Sequence, residues 1–240
     1  MKLTVLGKYG PFPKVNGGTS SYLLQTKKES ILLDCGSGAF ARLNEFIKPE
    51  DLSAIVLSHL HHDHTADIGL FIYYFQSLFK SGYDKKLLVV CPKEGGVMLD
   101  EIKKCPYFIV VHSEEKTLNF GDLNLIFYEM KHPVKSYGVL VNDKEKTFGY
   151  TGDTNVCDGV DALFKFSDLV LCDGGFLSKD WSENLPHLSV EKIVDYTKKY
   201  GNKSIISHIN PKYTEEELLR AVEGVEDKCF IAKEKETYEI

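Results

Sequence analysis

One window constrains this chain more than any other: Ala54-Ile55-Val56-Leu57-Ser58-His59-Leu60-His61-His62-Asp63-His64. Its first four residues are apolar and uncharged, the pattern of a short buried strand. That strand runs directly into four histidines and an aspartate. Layered α/β proteins mount their sites in this way, on loops held by rigid elements. A solvated, histidine-rich turn is the plainer alternative, and delivery by a buried strand argues against it. The residue mixture suits divalent metal chemistry. Neutral imidazoles bind zinc, and a carboxylate helps to hold a second ion and offset its charge. His59 and His61, two apart in extended backbone, can point to one ion, while Asp63 and His64 can serve another. Two ions about 3.5–4 Å apart form the usual clamp for hydrolysis.

One window cannot complete two coordination spheres. Three further places, each at the end of an apolar strand, offer ligands: Tyr128-Glu129-Met130-Lys131-His132-Pro133, Phe148-Gly149-Tyr150-Thr151-Gly152-Asp153 and Ser204-Ile205-Ile206-Ser207-His208. A chain of 240 residues buries a core without a metal staple, so a metal here is read as catalytic. Lys+Arg 29 against Asp+Glu 35 leaves a net charge of −6, which argues against a general nucleic-acid coat or a polybasic membrane binder. No apolar run reaches the roughly 18 residues of a membrane span. The first residues, Met1–Gly7, turn polar too early for a secretory signal. The 6 cysteines form no CxxC pair and read as reduced, so the expectation is a cytoplasmic protein.

Apolar patterning predicts strands at Lys2–Gly7, Ser20–Gln25, Ser30–Asp34, Ala54–Leu57 and Leu87–Val90, then Phe108–His112, Asn124–Lys131, Tyr137–Asn142 and Lys146–Tyr150. Two more follow at Asp168–Cys172 and Lys203–Ser207. Helices are predicted over Ala39–Ile47, Ala66–Lys80 and Gly96–Lys104. Another begins behind the N-cap Ser189, and a last one opens with the capping box at Thr214, its apolar side formed by Leu218, Leu219 and Val222. With no linker or repeat in sight, residues 1–240 read as one α+β domain of two packed sheets covered by helices on both outer faces.

The ordered set Asp34, His59/His61/Asp63/His64, His132, Asp153 and His208 resembles the metallo-β-lactamase fold hydrolases over nearly the whole chain. The resemblance implies a four-layer αββα sandwich with a dinuclear site at its edge. It implies that His59, His61 and His132 bind the first ion, that Asp63, His64 and His208 bind the second, and that Asp153 bridges them. Asp34 is carried over as support for the ligand loops. His62 and His112 match no ligand position.

Within that superfamily the chain is similar to the ribonuclease Z-like branch and its small phosphodiesterase relatives. The residues that carry this are Gly18–Leu24, Asp63–Leu70, Ser136-Tyr137-Gly138 and Ser207-His208-Ile209-Asn210-Pro211. A glutamate of the flavo-diiron type is absent at His61, and the Thr-Pro-Gly-His run of thioesterases and lactonases is absent at His132. The resemblance makes His187, in Pro186-His187-Leu188-Ser189, a proton donor or phosphate ligand. Asp173 then stands where true ribonuclease Z has a glutamate. That substitution, and the lack of a basic glycine-rich arm, favour a small or cyclic-nucleotide-type phosphodiester over a tRNA. The implied enzyme uses two divalent ions, zinc first with manganese or iron also suiting the set, and a bridging hydroxide. Asp63, His187 and Asp173 form its catalytic group. Other readings are a tRNA 3′ endonuclease acting on RNA, a lactone, thioester or β-lactam hydrolase, and a metal-binding regulatory protein without turnover. A homodimer is in keeping with the branch, and no membrane partner is expected. The segments Lys8–Gly18, Phe71–Tyr83 and Phe176–Pro186 are expected to line the pocket, with Phe12, Tyr73, Tyr74, Phe75, Phe176 and Trp181 as its aromatics or as core.

Overall fold

A computed structural model describes all residues, Met1–Ile240. The first half of the chain contributes β1 (Lys2–Gly7), β2 (Ser21–Gln25), β3 (Ser30–Leu33), β4 (Ala54–Val56), β5 (Leu87–Cys91) and β6 (Phe108–His112). The second contributes β7 (Thr117–Phe120), β8 (Leu123–Glu129), β9 (Tyr137–Asn142), β10 (Thr147–Tyr150), β11 (Leu169–Asp173), β12 (Lys203–Ser207) and β13 (Cys229–Ile231). A last strand, β14 (Thr237–Glu239), returns to the first sheet. The sheet orders are β14-β1-β2-β3-β4-β5-β6 and β13-β12-β11-β10-β9-β8-β7. In the first sheet, pairing is antiparallel from β14 to β3 and parallel from β3 to β6. In the second it is antiparallel from β7 to β10 and parallel from β10 to β13.

Both faces of the central strands are apolar, as strands covered on two sides require. In β11, Leu169 and Leu171 enter the layer between the sheets, where they join Leu33, Val56, Val139 and Ile205. The intervening Val170 and Cys172 face α5 (Asp158–Phe166), α6 (Val190–Tyr200) and α7 (Glu215–Ala221), through Leu163, Ile193 and Leu218. On the first sheet, Leu32, Ile55 and Val89 pack outward against Ile68, Phe71, Phe75, Leu99 and Ile102. Those side chains come from α3 (Ile68–Lys80) and α4 (Gly96–Lys104), with α1 (Ala39–Leu43) and α2 (His62–Thr65) alongside. The architecture is the expected αββα sandwich.

Several boundaries differ from the sequence reading. The helix expected from Ala39 to Ile47 stops at Leu43. The helix expected from Ala66 starts at Ile68, and the histidine run ahead of it forms a turn of its own, His62–Thr65. Leu219, expected on the apolar side of the last helix, is 53% exposed, while Leu218 and Val222 are buried. At one residue from Leu218, Leu219 lies about 100° round the helix and leaves the core. Helix α5 and strands β7, β13 and β14 were not anticipated.

Candidate metal centre

The chemistry-bearing residues lie where strands of both sheets end. Asp34 follows β3, His59–His64 follow β4, Asp153 follows β10, Asp173 closes β11 and His208 follows β12. His132 comes from the turn after β8. All of the predicted ligands converge. One ligand atom from each of His59, His61, His132 and Asp153 lies within 4.8 Å of the others, and the same holds for Asp63, His64, Asp153 and His208. Asp153 belongs to both groups. A third group joins Asp153, Asp173, His187 and His208. His62 is exposed, and His112 sits at the end of β6 with Nδ1 3.2 Å from the Cys91 carbonyl. Neither enters the cluster.

In the first group, His59 Nε2 is 3.0 Å and His132 Nε2 is 3.2 Å from His61 Nδ1. His132 spends its Nδ1–H on the Pro186 carbonyl, at 3.2 Å. Three ring nitrogens thus crowd one point, and a single His61 proton cannot satisfy two facing lone pairs. In the second group, His208 Nε2 is 3.2 Å from Asp63 Oδ2 and 3.3 Å from Asp153 Oδ2, and His64 Nε2 is 3.2 Å from Asp153 Oδ1. His64 Nε2 and Asp153 Oδ1 are buried without a hydrogen-bond partner. Buried polar atoms rarely go unpaired. Converging lone pairs and orphaned acceptors are what a divalent cation satisfies, so the residues present fit a metal.

Electrostatics tell the same story. Burial holds His59 well below the usual imidazole range, and burial likewise lowers His61 and His132. At His64 burial opposes the charged form, but the Asp153 and Asp34 carboxylates outweigh it and raise the group well above its ordinary value. At His208 burial again opposes, and Asp153 and Asp173 push it up to about 10. Burial pushes the Asp153 carboxyl upward, yet His208, His64 and His59 hold it well below the carboxylate range. Buried carboxylates here recruit positive charge from whatever is at hand.

Beside the groups, His187 Nδ1 donates to Asp173 Oδ2 at 2.8 Å. Asp173 is fixed in turn by the backbone N–H groups of Thr154 and Gly175, and its other oxygen lies 3.3 Å from His208 Nδ1. Phe176 and Trp181 pack here as expected: the Phe176 ring is 5.8 Å from His187, and Trp181 Nε1 donates to the His187 carbonyl. The aromatics of α3 do not join them, since Phe71 and Phe75 are core and Tyr73 faces solvent. A cleft of about 550 Å³ opens instead on His61 and His132, lined by Leu60, Glu94, Met130, Val134 and Lys135 among others. Sequence reasoning missed this wall. It also missed Ser58 and Tyr150, whose hydroxyls reach Asp34 beneath the site.

Fold and site together define a metal-dependent hydrolase. Residues 29–209 match the beta-lactamase superfamily domain, and the chain belongs to that family. It is 29% identical over 214 residues to the probable metallo-hydrolase YhfI of Bacillus subtilis, covering 87% of each chain. The crystal structure of YhfI superimposes with a TM-score of 0.92 at 26% identity, covering 100% of this chain and 99% of that one. Ribonuclease Z of Sulfolobus acidocaldarius is 25% identical over 266 residues, covering 89% of this chain and 90% of that protein. A diphosphatase of the PhnP family shares the fold, with a TM-score of 0.78 at 17% identity over 100% of this chain and 97% of that one. No helix is long and apolar enough to cross a membrane.

Proposed function

We propose that residues 1–240 act as one phosphodiesterase unit with a two-ion centre, hydrolysing a small or cyclic-nucleotide-type diester. The observation that carries this reading is the shared carboxylate: Asp153 lies in both groups of ligand-like residues, with the His187–Asp173 pair beside them. His59, His61 and His132 would hold the first ion and Asp63, His64 and His208 the second, with Asp153 available to both. Five of these seven side chains are imidazoles, which suit zinc better than a hard cation. When bound, the ions supply Lewis acidity, acidifying water and drawing charge from phosphoryl oxygens.

The chain's own residues do the rest. Asp173 takes the Nδ1–H of His187 and fixes the ring. Against the opposing effect of burial, Asp173 and Asp153 raise its pKa, which favours the doubly protonated ring with a second proton on Nε2. Nε2 is then the nitrogen that gives a proton to the departing alkoxide, a demand that phosphodiesters with poor leaving groups make strongly. The cleft beside His61 and His132 is flanked by Glu94 and Glu129, and the whole chain carries a charge of −6. Glu129 is paired with Lys135, so the cleft is not repulsive throughout, but the overall charge disfavours a long polyanion more than a singly charged diester. The likeness to ribonuclease Z keeps a tRNA 3′ endonuclease as the second reading.

The test is turnover of a chromogenic phosphodiester by zinc- and manganese-loaded protein. We expect turnover that is lost in His59→Ala. His187→Ala should keep its ions and lose about 10²-fold or more in kcat, most for poor leaving groups. Wild-type rates in His59→Ala would sink the proposal. Turnover of lactones, thioesters or β-lactams instead would move the chain to carbonyl hydrolysis, and cleavage of a precursor tRNA alone would favour the endonuclease. Bound metal with no turnover at all would make it a regulatory protein.

A further inference from the structure

Beneath the two groups of ligand-like residues lies a fully buried carboxylate, Asp34, held at φ 54°. A non-glycine residue in that region is uncommon and persists only where its surroundings fix it. Asp34 is fixed by four donors. Oδ1 accepts the Ser58 backbone N–H at 2.7 Å. Oδ2 accepts the Ser58 hydroxyl at 2.8 Å, His64 Nδ1 at 2.6 Å and the Tyr150 hydroxyl at 2.5 Å.

Proton counting then fixes two tautomers. His64 gives its Nδ1–H to Asp34, so Nε2 is the nitrogen turned to Asp153, and it becomes a lone pair once a metal displaces the second proton that the two carboxylates favour. A serine has one hydroxyl proton, and Ser58 spends it on Asp34, because an ionised carboxylate can only accept. The Ser58 oxygen also lies 3.1 Å from His59 Nδ1. With its proton committed, that oxygen can only accept, so His59 carries its proton on Nδ1 and presents Nε2 as a lone pair. Nε2 is the atom that meets His61 and lies 3.6 Å from Asp153.

We infer that Asp34 orients one histidine of each group, His64 directly and His59 through the Ser58 hydroxyl, which makes Ser58 a positioning residue for the first ion alone. This rests on the ligand assignment proposed above. Loss of the hydroxyl frees His59 to turn its proton toward Nε2, where the proton competes with the metal. His64, still held by Asp34, keeps Nε2 turned toward the second group. Partners of this kind are worth on the order of 10–100-fold in metal affinity.

The test is competition for metal between a chromophoric chelator and the full-length zinc-loaded protein, with circular dichroism as the check on folding. Wild-type protein should release two ions. Ser58→Ala should yield one of them on the order of 10–100-fold more readily and hold the other as wild type does, whereas Asp34→Asn should loosen both. Wild-type release of both ions from a folded Ser58→Ala variant would overturn the relay and leave the ligand assignment standing. Equal weakening of both ions would reduce Ser58 to a general structural role. Fewer than two ions in the wild type would overturn the ligand assignment, and the relay with it.

Discussion

A Cβ built on Gly10 meets His208 Nε2, Cε1 and Cδ2 at 2.0, 2.2 and 2.3 Å. The loop after β1 therefore lays bare backbone against the imidazole, and Gly10 N donates to the Ile209 carbonyl at 3.2 Å to keep it there. His208 has no room to yield. It is 3% exposed, sits at φ 52°, and is gripped between Asp63 and Asp173. Gly10→Ala should therefore displace the ring, with a stability loss of about 1–3 kcal/mol typical of overpacking and a weaker hold on one ion. Thermal denaturation and metal analysis would check this, and wild-type values in both would refute the close approach. At this scale the residues that gather at the centre were legible, because histidines and aspartates at the ends of apolar strands are chemically conspicuous. Gly10, Ser58 and Tyr150 were not. A small residue, a serine and a strand tyrosine are ordinary in sequence, and their roles exist only through partners 24 to 198 positions away, from Ser58–Asp34 to Gly10–His208.

Among the elements, the long central strands and α6 were readable from periodicity and caps, and Ser189 does accept from the Lys192 N–H as an N-cap should. The missed pieces share a physical cause. Strands β7, β13 and β14 have 4, 3 and 3 residues, too few to display an alternation. Helix α5 does carry the helical triplet Val160, Leu163 and Phe164, but Gly159 lowers its intrinsic propensity. That glycine has a reason in packing, since a Cβ there would stand 2.9 Å from the Glu129 carbonyl. Helices α5 and α6 are tied by Asp161, which accepts from Tyr196, Lys199 and Tyr200. Burial pushes the Asp161 carboxyl up, and the Lys199 and Tyr200 donors pull it below its ordinary 3.8. A carboxyl depressed by folding adds stability above its unfolded pKa and loses it as pH falls through the folded one. The stability gap between wild type and Asp161→Asn should thus be constant near neutrality and shrink below about pH 4. Denaturant titrations across that range would measure it, and a gap independent of pH would remove the ionic contribution.

For the whole molecule, the site is a seam. Its groups come from strand ends of both sheets, from His59 to His208, so an ion bound there ties the two halves of the sandwich together. Ligand that binds only the folded state adds about 2.7 kcal/mol at a hundredfold excess over its Kd. For a chain of this length, chelation should lower Tm by on the order of 5–10 °C. Calorimetry with and without chelator would show it, and an unchanged Tm would mean that the seam holds without metal. The sandwich class was legible from strands and helices in alternation, but the return of β14 to β1 was not, because nothing local in Thr237–Glu239 names a partner at Lys2–Thr4. That return has a further meaning. With β14 in place, each sheet runs through three antiparallel links and then three parallel ones, in the same direction of strand order. Asp34 after β3 answers to Asp153 after β10, and the histidine loop after β4 answers to Asp173 at the end of β11. The two sheets thus repeat one topological pattern, and the site lies where corresponding strand ends of the two repeats meet.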